Sequence, residues 1–127
     1  MDLTGQRAAA AQPAVPRREV VLLFPGQGSQ YSRMGTGLYQ HDPVFTASVE
    51  AVFAALGGDG ARLRADWLGS DPADPLSEIT RSQPLLFAIG YALGQMVRSW
   101  GVRPAAMLGH SIGEVVAATV EIGRAHV

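Results

Sequence analysis

The sequence contains no cysteine and no lysine, and all ten of its basic residues are arginine. The absence of cysteine excludes disulfide bonds, thiolate metal sites and a cysteine nucleophile. The absence of lysine excludes a phosphate-binding loop of the form G-x-x-x-x-G-K-[ST], because that loop requires its lysine. Composition alone thus removes thiol chemistry and P-loop nucleotide binding from the candidate functions.

The sequence also lacks a strong charge of either sign and a long hydrophobic run. The formal net charge is -1, which creates no field that favours nucleic acid or anionic lipid. The longest strongly apolar run, residues 85–94, is too short to span a bilayer. Asp2 and the brief alanine run near the start do not fit a signal peptide. We therefore expect a cytoplasmic protein with no metal, nucleic-acid or membrane partner.

The hydrophobic pattern predicts strands that alternate with helices. The run EVVLLF at residues 19–24 is typical of a buried strand in a parallel sheet. Asp42 and Pro43 suit the start of a helix, and Gly101 suits the end of the longest one, which carries Trp100 on its apolar face. This order of segments predicts an α/β fold with a crossover between parallel strands. The segments are a mobile leader at 1–18, a helix from 43 closed by the glycine-rich stretch 57–60, helices at 61–68 and 84–100, a loop at 70–75, a strand at 105–108, a tight turn at 109–113 and a final helix.

Residues 109–113, GHSIG, match the pattern G-x-S-x-G between a predicted strand and a predicted helix. In that setting the sharp turn exposes the oxygen of Ser111, and glycine is needed on both sides because larger side chains would collide. The N-terminus of the helix leaves the Ile112 N–H free to stabilise an oxyanion. The motif predicts a nucleophilic serine, but alone it does not separate esterases, thioesterases and acyltransferases. A chance cluster of glycine and serine in a loop is the alternative.

A second glycine loop, FPGQGSQ at residues 24–30, follows the first predicted strand. The carboxyl ends of strands in α/β sheets carry ligand-binding loops, and glycine lets the backbone N–H groups approach a ligand closely. An oxyanion hole takes one N–H from the residue after the nucleophile and one from another loop. This loop is the natural source of the second N–H, although without the serine motif it would be interpreted as an ordinary glycine turn.

Three motifs in this order resemble one known family. FPGQGSQ, then TRSQPLLFAI at residues 80–89, then GHSIGE look like the acyltransferase domains of polyketide synthases and the malonyl-CoA:acyl-carrier-protein transacylases of fatty-acid synthesis. The resemblance covers residues 19–120. It implies that these residues are the N-terminal portion of a large α/β-hydrolase-like subdomain with a parallel sheet, and that a smaller ferredoxin-like subdomain belongs to a part that this chain lacks.

The resemblance also implies a ping-pong reaction without a bound cofactor. Serine takes an acyl group from coenzyme A and passes it to the phosphopantetheine thiol of an acyl carrier protein, and other domains of a synthase are further possible partners. Carried onto this chain, Ser111 is the nucleophile and the backbone amides of Gln27 and Ile112 form the oxyanion hole. The residues assigned to substrate binding are Gln83, which lines the acyl pocket, Gly26 and Gly28, which shape the first loop, and His110, which holds a structural place in the turn.

The acyl group is less sharply defined by the resemblance. An aliphatic residue after the serine, here Ile112, resembles the malonyl-selective members of the family, so malonyl-CoA is the favoured donor. Arg81, however, holds the place where malonyl enzymes often carry an aromatic residue, two positions before Gln83. Other acyl units therefore stay open.

The general base of the family is a histidine far downstream of the serine, and its carboxylate-binding arginine also lies beyond residue 120. None of the three histidines present fits that role: His110 adjoins the serine within the turn, His41 precedes a helix on the surface, and His126 is in the tail. The tail itself, EIGRAHV at residues 121–127, can be encoded by DNA that looks like the start of a widely used sequencing adapter. We expect read-through into an adapter there, with a natural end of the protein as the alternative.

Three functions follow from these patterns. The favoured one is an acyltransferase that loads a carrier protein, represented here by a piece that is inactive alone because it lacks the base. A serine hydrolase such as an editing thioesterase is compatible with GHSIG, although the other two motifs argue against it. A non-catalytic remnant is compatible with the absent base.

Overall fold

The computed structural model describes residues 18–69 and 79–125. The predicted leader up to residue 17, the predicted loop at 70–75 and His126 lie outside them. The described elements, in chain order, are β1 (Val21–Phe24), a short 3-10 turn (Thr36–Leu38), α1 (Pro43–Ala55), α2 (Gly58–Leu68), α3 (Ile79–Ser99), β2 (Ala106–Gly109) and α4 (Ile112–Ala125).

The two strands form a parallel pair, which confirms the predicted α/β fold with a parallel sheet. Val21 pairs with Ala106 at one end and Phe24 pairs with Gly109 at the other. The strands therefore stop in register, and the loops that follow them, FPGQGSQ and GHSIG, leave from the same edge of the sheet. The crossover between the strands is built from α1, α2 and α3. The large and small subdomains that the resemblance implies stay a prediction.

Only one face of this sheet is covered. Phe24 packs against Val116 and Val120 of α4, and Leu22 and Met107 lie around the same cluster. Side chains alternate along a strand, so the intervening residues point away from α4. On that face Leu23 is 70% exposed and Leu108 is 59% exposed. The predicted strand is therefore buried on the α4 face alone, because nothing among the described residues packs on the other face.

Helix α1 begins as its sequence predicts. The Asp42 side chain accepts a hydrogen bond from the Phe45 N–H at 2.9 Å, and Pro43 occupies the first helical position, where a missing N–H costs nothing. Its end differs from the prediction, because only Leu56 and Gly57 separate it from α2, which already starts at Gly58. A Cβ on Gly60 would lie 1.9 Å from the Phe53 carbonyl oxygen. Gly60 thus serves the close crossing of α1 and α2 rather than a turn.

Helix α3 is longer at its start than the prediction of 84–100. It begins at Ile79 and contains Pro84 at its sixth position. Sequence reasoning placed the start at the proline because proline is usually found in the first turn, where N–H groups have no partner inside the helix. The end is confirmed, since the helix stops at Ser99 and Gly101 adopts a φ of 90°. The placement of Trp100 on the apolar face of this helix is wrong, because Trp100 lies just beyond the helix and is 63% exposed.

The larger core cluster joins α1, α2 and α3 around Trp67, which is fully buried. Its indole N–H donates to the Met34 carbonyl at 2.6 Å, and the ring of Tyr39 meets it edge-on with centroids 5.5 Å apart. The Tyr39 hydroxyl donates to Glu50. This hydrogen bond, with burial as a second cause, raises the pKa of Tyr39 above its ordinary value. The cluster fixes the chain that follows the FPGQGSQ loop against the helices.

Replacing Ser82 by alanine is expected to raise the free energy of unfolding by about 1 kcal/mol. The Ser82 side chain is fully buried, and its hydroxyl has no hydrogen-bond partner within the described residues. A buried hydroxyl without a partner costs desolvation free energy that folding does not return. Thermal unfolding followed by circular dichroism measures the difference. Ser99→Ala is the matched control on the same helix, because the Ser99 hydroxyl donates to the Met96 carbonyl, and it should bring no gain. A lower melting temperature for Ser82→Ala would show that the hydroxyl is satisfied.

Candidate active site

The turn between β2 and α4 holds Ser111 in a strained backbone conformation. Its φ is 59°, in the left-handed region that side chains other than glycine rarely adopt. Such strain is a feature of the sharp strand-to-helix turn that presents a nucleophile, and it persists only where the surroundings enforce it. Ser111 is exposed at the carboxyl edge of the sheet.

The two glycines of the turn are required by contact with the backbone. A Cβ on Gly109 would lie 2.1 Å from the Gly113 carbonyl oxygen. A Cβ on Gly113 would lie 2.0 Å from the carbonyl oxygen of Phe24 on the neighbouring strand. Both distances are far inside van der Waals contact, so any larger residue would push α4 away from the sheet. These contacts explain why glycine is needed on both sides of the serine, as the sequence predicts.

The start of α4 leaves one amide near the serine unused. The Gly113 N–H donates to the His110 carbonyl at 3.0 Å, and the Glu114 N–H donates to the Ser111 carbonyl at 2.9 Å. The Ile112 N–H, by contrast, has no acceptor within the part of the chain that the structure describes. An unpaired amide at a helix N-terminus is suited to an anionic oxygen. Ile112 thus stands where the prediction of an oxyanion donor requires it.

The FPGQGSQ loop passes directly beside the serine. A Cβ on Gly26 would lie 2.9 Å from the Ser111 Cβ and 2.7 Å from the His110 carbonyl oxygen. The loop also holds its own shape: the Ser29 hydroxyl donates to the Gly26 carbonyl at 2.7 Å, and Gly28, with a φ of 104°, donates its N–H to the Gln30 side chain at 2.8 Å. Gly26 therefore permits the approach, and Gly28 supplies a turn that other residues strain to make.

Gln83 links the third motif to this loop. Its side-chain amide donates to the Gln27 side-chain oxygen at 3.3 Å. Gln27, Gln83 and Ser111 are far apart in the sequence, yet the fold gathers them at one edge of the sheet. Their placement together agrees with the predicted site, whereas the catalytic and binding roles assigned to them stay predictions.

No histidine in the described residues is hydrogen-bonded to Ser111. The Nδ1 atom of His110 lies against Gly26, at 2.9 Å from the position of a Cβ there, which fits a structural place in the turn. His41 lies between the 3-10 turn and α1, with its N–H donating to the Leu38 carbonyl. Arg81 is paired with Asp66 of α2 at 2.9 Å. Its guanidinium is thereby held toward α2.

No group of three or more histidine, aspartate or glutamate side chains within residues 18–69 and 79–125 is arranged to hold a metal ion. None of the helices described there has the length and apolar character needed to cross a bilayer.

Sequence reasoning missed one part of the site. Phe87 and Tyr91 follow Gln83 at intervals of four residues on α3, and their rings are stacked with centroids 6.2 Å apart. Together with residues of α1 and α4 they line an apolar groove that starts beside Gln83. The helical spacing 83, 87, 91 was a signal for this face, but the sequence alone assigned all its apolar residues to the core.

The family model for the acyl transferase domain matches residues 21–124. This chain belongs to that family. The resemblance stated from the three motifs is thereby confirmed, and the matched residues include Ser111, Gln83 and both glycine loops.

Polyketide synthases are among the relatives of this acyl transferase chain. It is 40% identical over 117 residues to a phenolphthiocerol/phthiocerol polyketide synthase of Mycobacterium tuberculosis. The aligned residues cover 91% of this chain and 8% of that protein. It is 42% identical over 107 residues to the erythronolide synthase EryA2 of Saccharopolyspora erythraea. Here the aligned residues cover 84% of this chain and 3% of that protein.

Solved acyltransferases share its fold. The acyltransferase domain from the second module of the salinomycin polyketide synthase matches with a TM-score of 0.73 and 40% identity, over 93% of this chain and 30% of that one. The malonyl-CoA:acyl carrier protein transacylase of Helicobacter pylori matches with a TM-score of 0.68 and 30% identity, over 82% of this chain and 33% of that one. The chain thus spans about a third of these solved proteins and a much smaller share of the synthases.

Proposed function

We propose that Ser111 carries an acyl group between coenzyme A and the phosphopantetheine thiol of an acyl carrier protein, in polyketide or fatty-acid biosynthesis. The observation that carries this proposal is the contact of Gly26 with the serine turn, since it brings the second glycine loop within backbone distance of a strained serine. Membership of the acyl transferase family supports the same reaction. The proposed cellular location is the cytoplasm, a reducing compartment with which the absence of cysteine is compatible.

The first half-reaction forms a seryl ester. The Ser111 oxygen attacks the carbonyl carbon of the acyl thioester, and its proton passes to a general base. Negative charge on the carbonyl oxygen is stabilised by the backbone N–H groups of Gln27 and Ile112. The carbon–sulfur bond then breaks, and the coenzyme A thiolate leaves with the proton that the base returns. In the second half-reaction the carrier thiol gives its proton to the base and attacks the carbonyl carbon of the ester. The carbon–oxygen bond then breaks, and Ser111 leaves with the proton that the base returns, while the same oxyanion hole stabilises the charge.

The base in this scheme is a histidine that the resemblance places after residue 120. No histidine of the described residues contacts the Ser111 hydroxyl through a hydrogen bond, which supports a base outside them. We therefore propose that residues 1–127 alone are inactive. The origin of residues 121–127 from an adapter stays a prediction, and sequencing the source DNA across the codon for Val120 tests it.

Malonyl-CoA is the donor that the resemblance favours, because Ile112 follows the serine. Arg81, which stands where malonyl enzymes often carry an aromatic residue, forms an ion pair with Asp66. A serine hydrolase differs from this proposal only in the acceptor, since water would take the acyl group. A non-catalytic remnant would form no seryl ester at all.

Supplying labelled malonyl-CoA to the complete domain is expected to place the label on Ser111 and then on a carrier protein, with transfer to the carrier faster than hydrolysis. The complete domain is the reading frame that sequencing of the source DNA across the codon for Val120 returns. Intact-protein mass spectrometry with and without the carrier follows both steps. Release of the label to water at a rate independent of the carrier would identify a hydrolase. A domain that shows no seryl ester with any acyl-CoA would be a remnant.

A further inference from the structure

The segment that carries Gln27 is held at both of its ends, and the second end depends on Arg33. At the first end Gly26 packs on the serine turn. At the second end the Arg33 guanidinium donates to the Leu68 carbonyl and, at 3.4 Å, to the Gly69 carbonyl, both at the C-terminus of α2. We infer that Arg33 is a positioning residue, which holds the Gln27 amide in place for the oxyanion through this contact with α2. The inference rests on the proposed function and adds a residue to it.

The backbone of Arg33 adopts a conformation that arginine rarely has. Its φ is 59°, in the left-handed region, where residues other than glycine are strained. The Arg33 carbonyl accepts from the Thr36 N–H at 3.1 Å and from the Thr36 hydroxyl at 2.9 Å, so the turn is fixed in this form. Glycine would make the same turn without strain. The feature that arginine adds at this position is its side chain, and strain that is kept in this way points to a function of that side chain.

The C-terminus of α2 is suited to a cation. The last carbonyl groups of a helix have no partner inside it, and the helix dipole places partial negative charge there. The last turn of α2 has no basic residue of its own. Arg33, which is 35 positions away from Leu68 in the sequence, supplies the charge-assisted hydrogen bonds instead. The contact therefore joins a distant segment to the end of this helix.

A change at Arg33 can reach Gln27 because little else holds the chain between them. Gln27 precedes Arg33 by six positions, and most residues between the two are exposed, so packing restrains them weakly. One turn in this segment is closed by the Met34 N–H, which donates to the Tyr31 carbonyl at 3.1 Å. The Trp67 indole holds the Met34 carbonyl from the core. Loss of the Arg33 contact should thus loosen the segment without releasing it completely.

Arg33→Gly in the complete domain is expected to lower kcat for acyl transfer about tenfold, less than the roughly 10²–10³-fold cost of removing an oxyanion donor outright. The KM for acyl-CoA should stay unchanged, because an oxyanion donor acts on the transition state rather than on the bound substrate. The melting temperature should change little, since relief of the left-handed strain offsets the lost contact. A residue with only a structural role would not produce this loss of kcat at constant stability and KM.

Gln40→Gly is the matched control. Gln40 is also exposed and has a φ of 67°, and its side chain forms no hydrogen bond within the described residues. The same substitution there relieves the same kind of strain without removing a contact with α2, so kcat should stay unchanged. Arg33→Lys keeps a cation at the end of α2 and should recover most of the rate, although lysine lacks the planar fork of arginine.

Backbone ¹⁵N relaxation of the full 127-residue chain tests the inference without any acyl transfer. In Arg33→Gly the order parameters of the Gln27 and Gly28 amides are expected to fall from the rigid range, about 0.85, to the flexible range, below about 0.6. In Gln40→Gly they should stay unchanged. This measurement reports directly on the segment that Arg33 is inferred to hold.

Three results would overturn the inference. They are order parameters at Gln27 that do not respond to Arg33→Gly, an equal loss of kcat in Arg33→Gly and Gln40→Gly, and a rise in KM at constant kcat, which would make Arg33 a contact for coenzyme A. An unsubstituted complete domain that transfers no acyl group while the order parameters fall would remove the proposed function alone. Transfer that proceeds without any response of the order parameters would remove the role of Arg33 alone.

Discussion

Replacing Ser111 by alanine is expected to lower acyl transfer by the complete domain by about 10⁴-fold or more, the scale on which nucleophile removal acts in other serine enzymes. The reason is that the alanine variant keeps the oxyanion donors but cannot form the ester that links the two half-reactions. The turn itself should survive, because its shape depends on Gly109, Gly113 and the Gly26 contact rather than on the serine oxygen. Transfer of labelled malonyl groups from coenzyme A to the carrier measures the loss.

Ser32→Ala is the matched control for this experiment. Ser32 is an exposed serine on the chain that follows the FPGQGSQ loop, and its substitution should leave the transfer rate unchanged. Circular dichroism of both variants establishes that each is folded. A Ser111→Ala domain that still forms a covalent acyl adduct would mean that another residue is the nucleophile, and the assignment of Ser111 would have to be withdrawn.

Replacing Gly113 by alanine is expected to destabilise the fold by about 3–5 kcal/mol, at the upper end of what single substitutions do. The added methyl carbon would lie 2.0 Å from the Phe24 carbonyl oxygen and 2.7 Å from its carbon, both of which belong to the rigid backbone of β1. Relief requires α4 to move away from the sheet, and that movement separates Val116 and Val120 from Phe24. The same displacement would shift the Ile112 amide, at the start of α4, relative to Gly26 of the first loop.

The effect can be separated from the general cost of losing a glycine. Gly37, in the 3-10 turn, has nothing within 4 Å of the position of a Cβ, so Gly37→Ala should change the melting temperature little. Thermal unfolding of the chain and of both variants, followed by circular dichroism, gives the comparison. Equal melting temperatures for Gly113→Ala and the unsubstituted chain would contradict the close contact between α4 and β1.

Interactions between residues close in the sequence determined the helix ends and the serine turn of this protein. The Asp42–Pro43 start of α1, the Gly101 end of α3 and the strand–serine–helix turn were all predicted from residues a few positions apart, because caps, positive φ angles and sharp turns depend on near neighbours. The three motifs likewise identified the family, since their residue types and order are a property of the chain itself.

Tertiary structure decided what depends on distant partners. The start of α3 at Ile79 and the exposure of Trp100 were not predicted, because each depends on which elements pack together. The role of Gly60 became visible only in the contact with Phe53, and the bond from Gln83 to Gln27 joins residues 56 positions apart. The apolar groove beside Gln83 is of the same kind, since three helices must meet before the space between them exists.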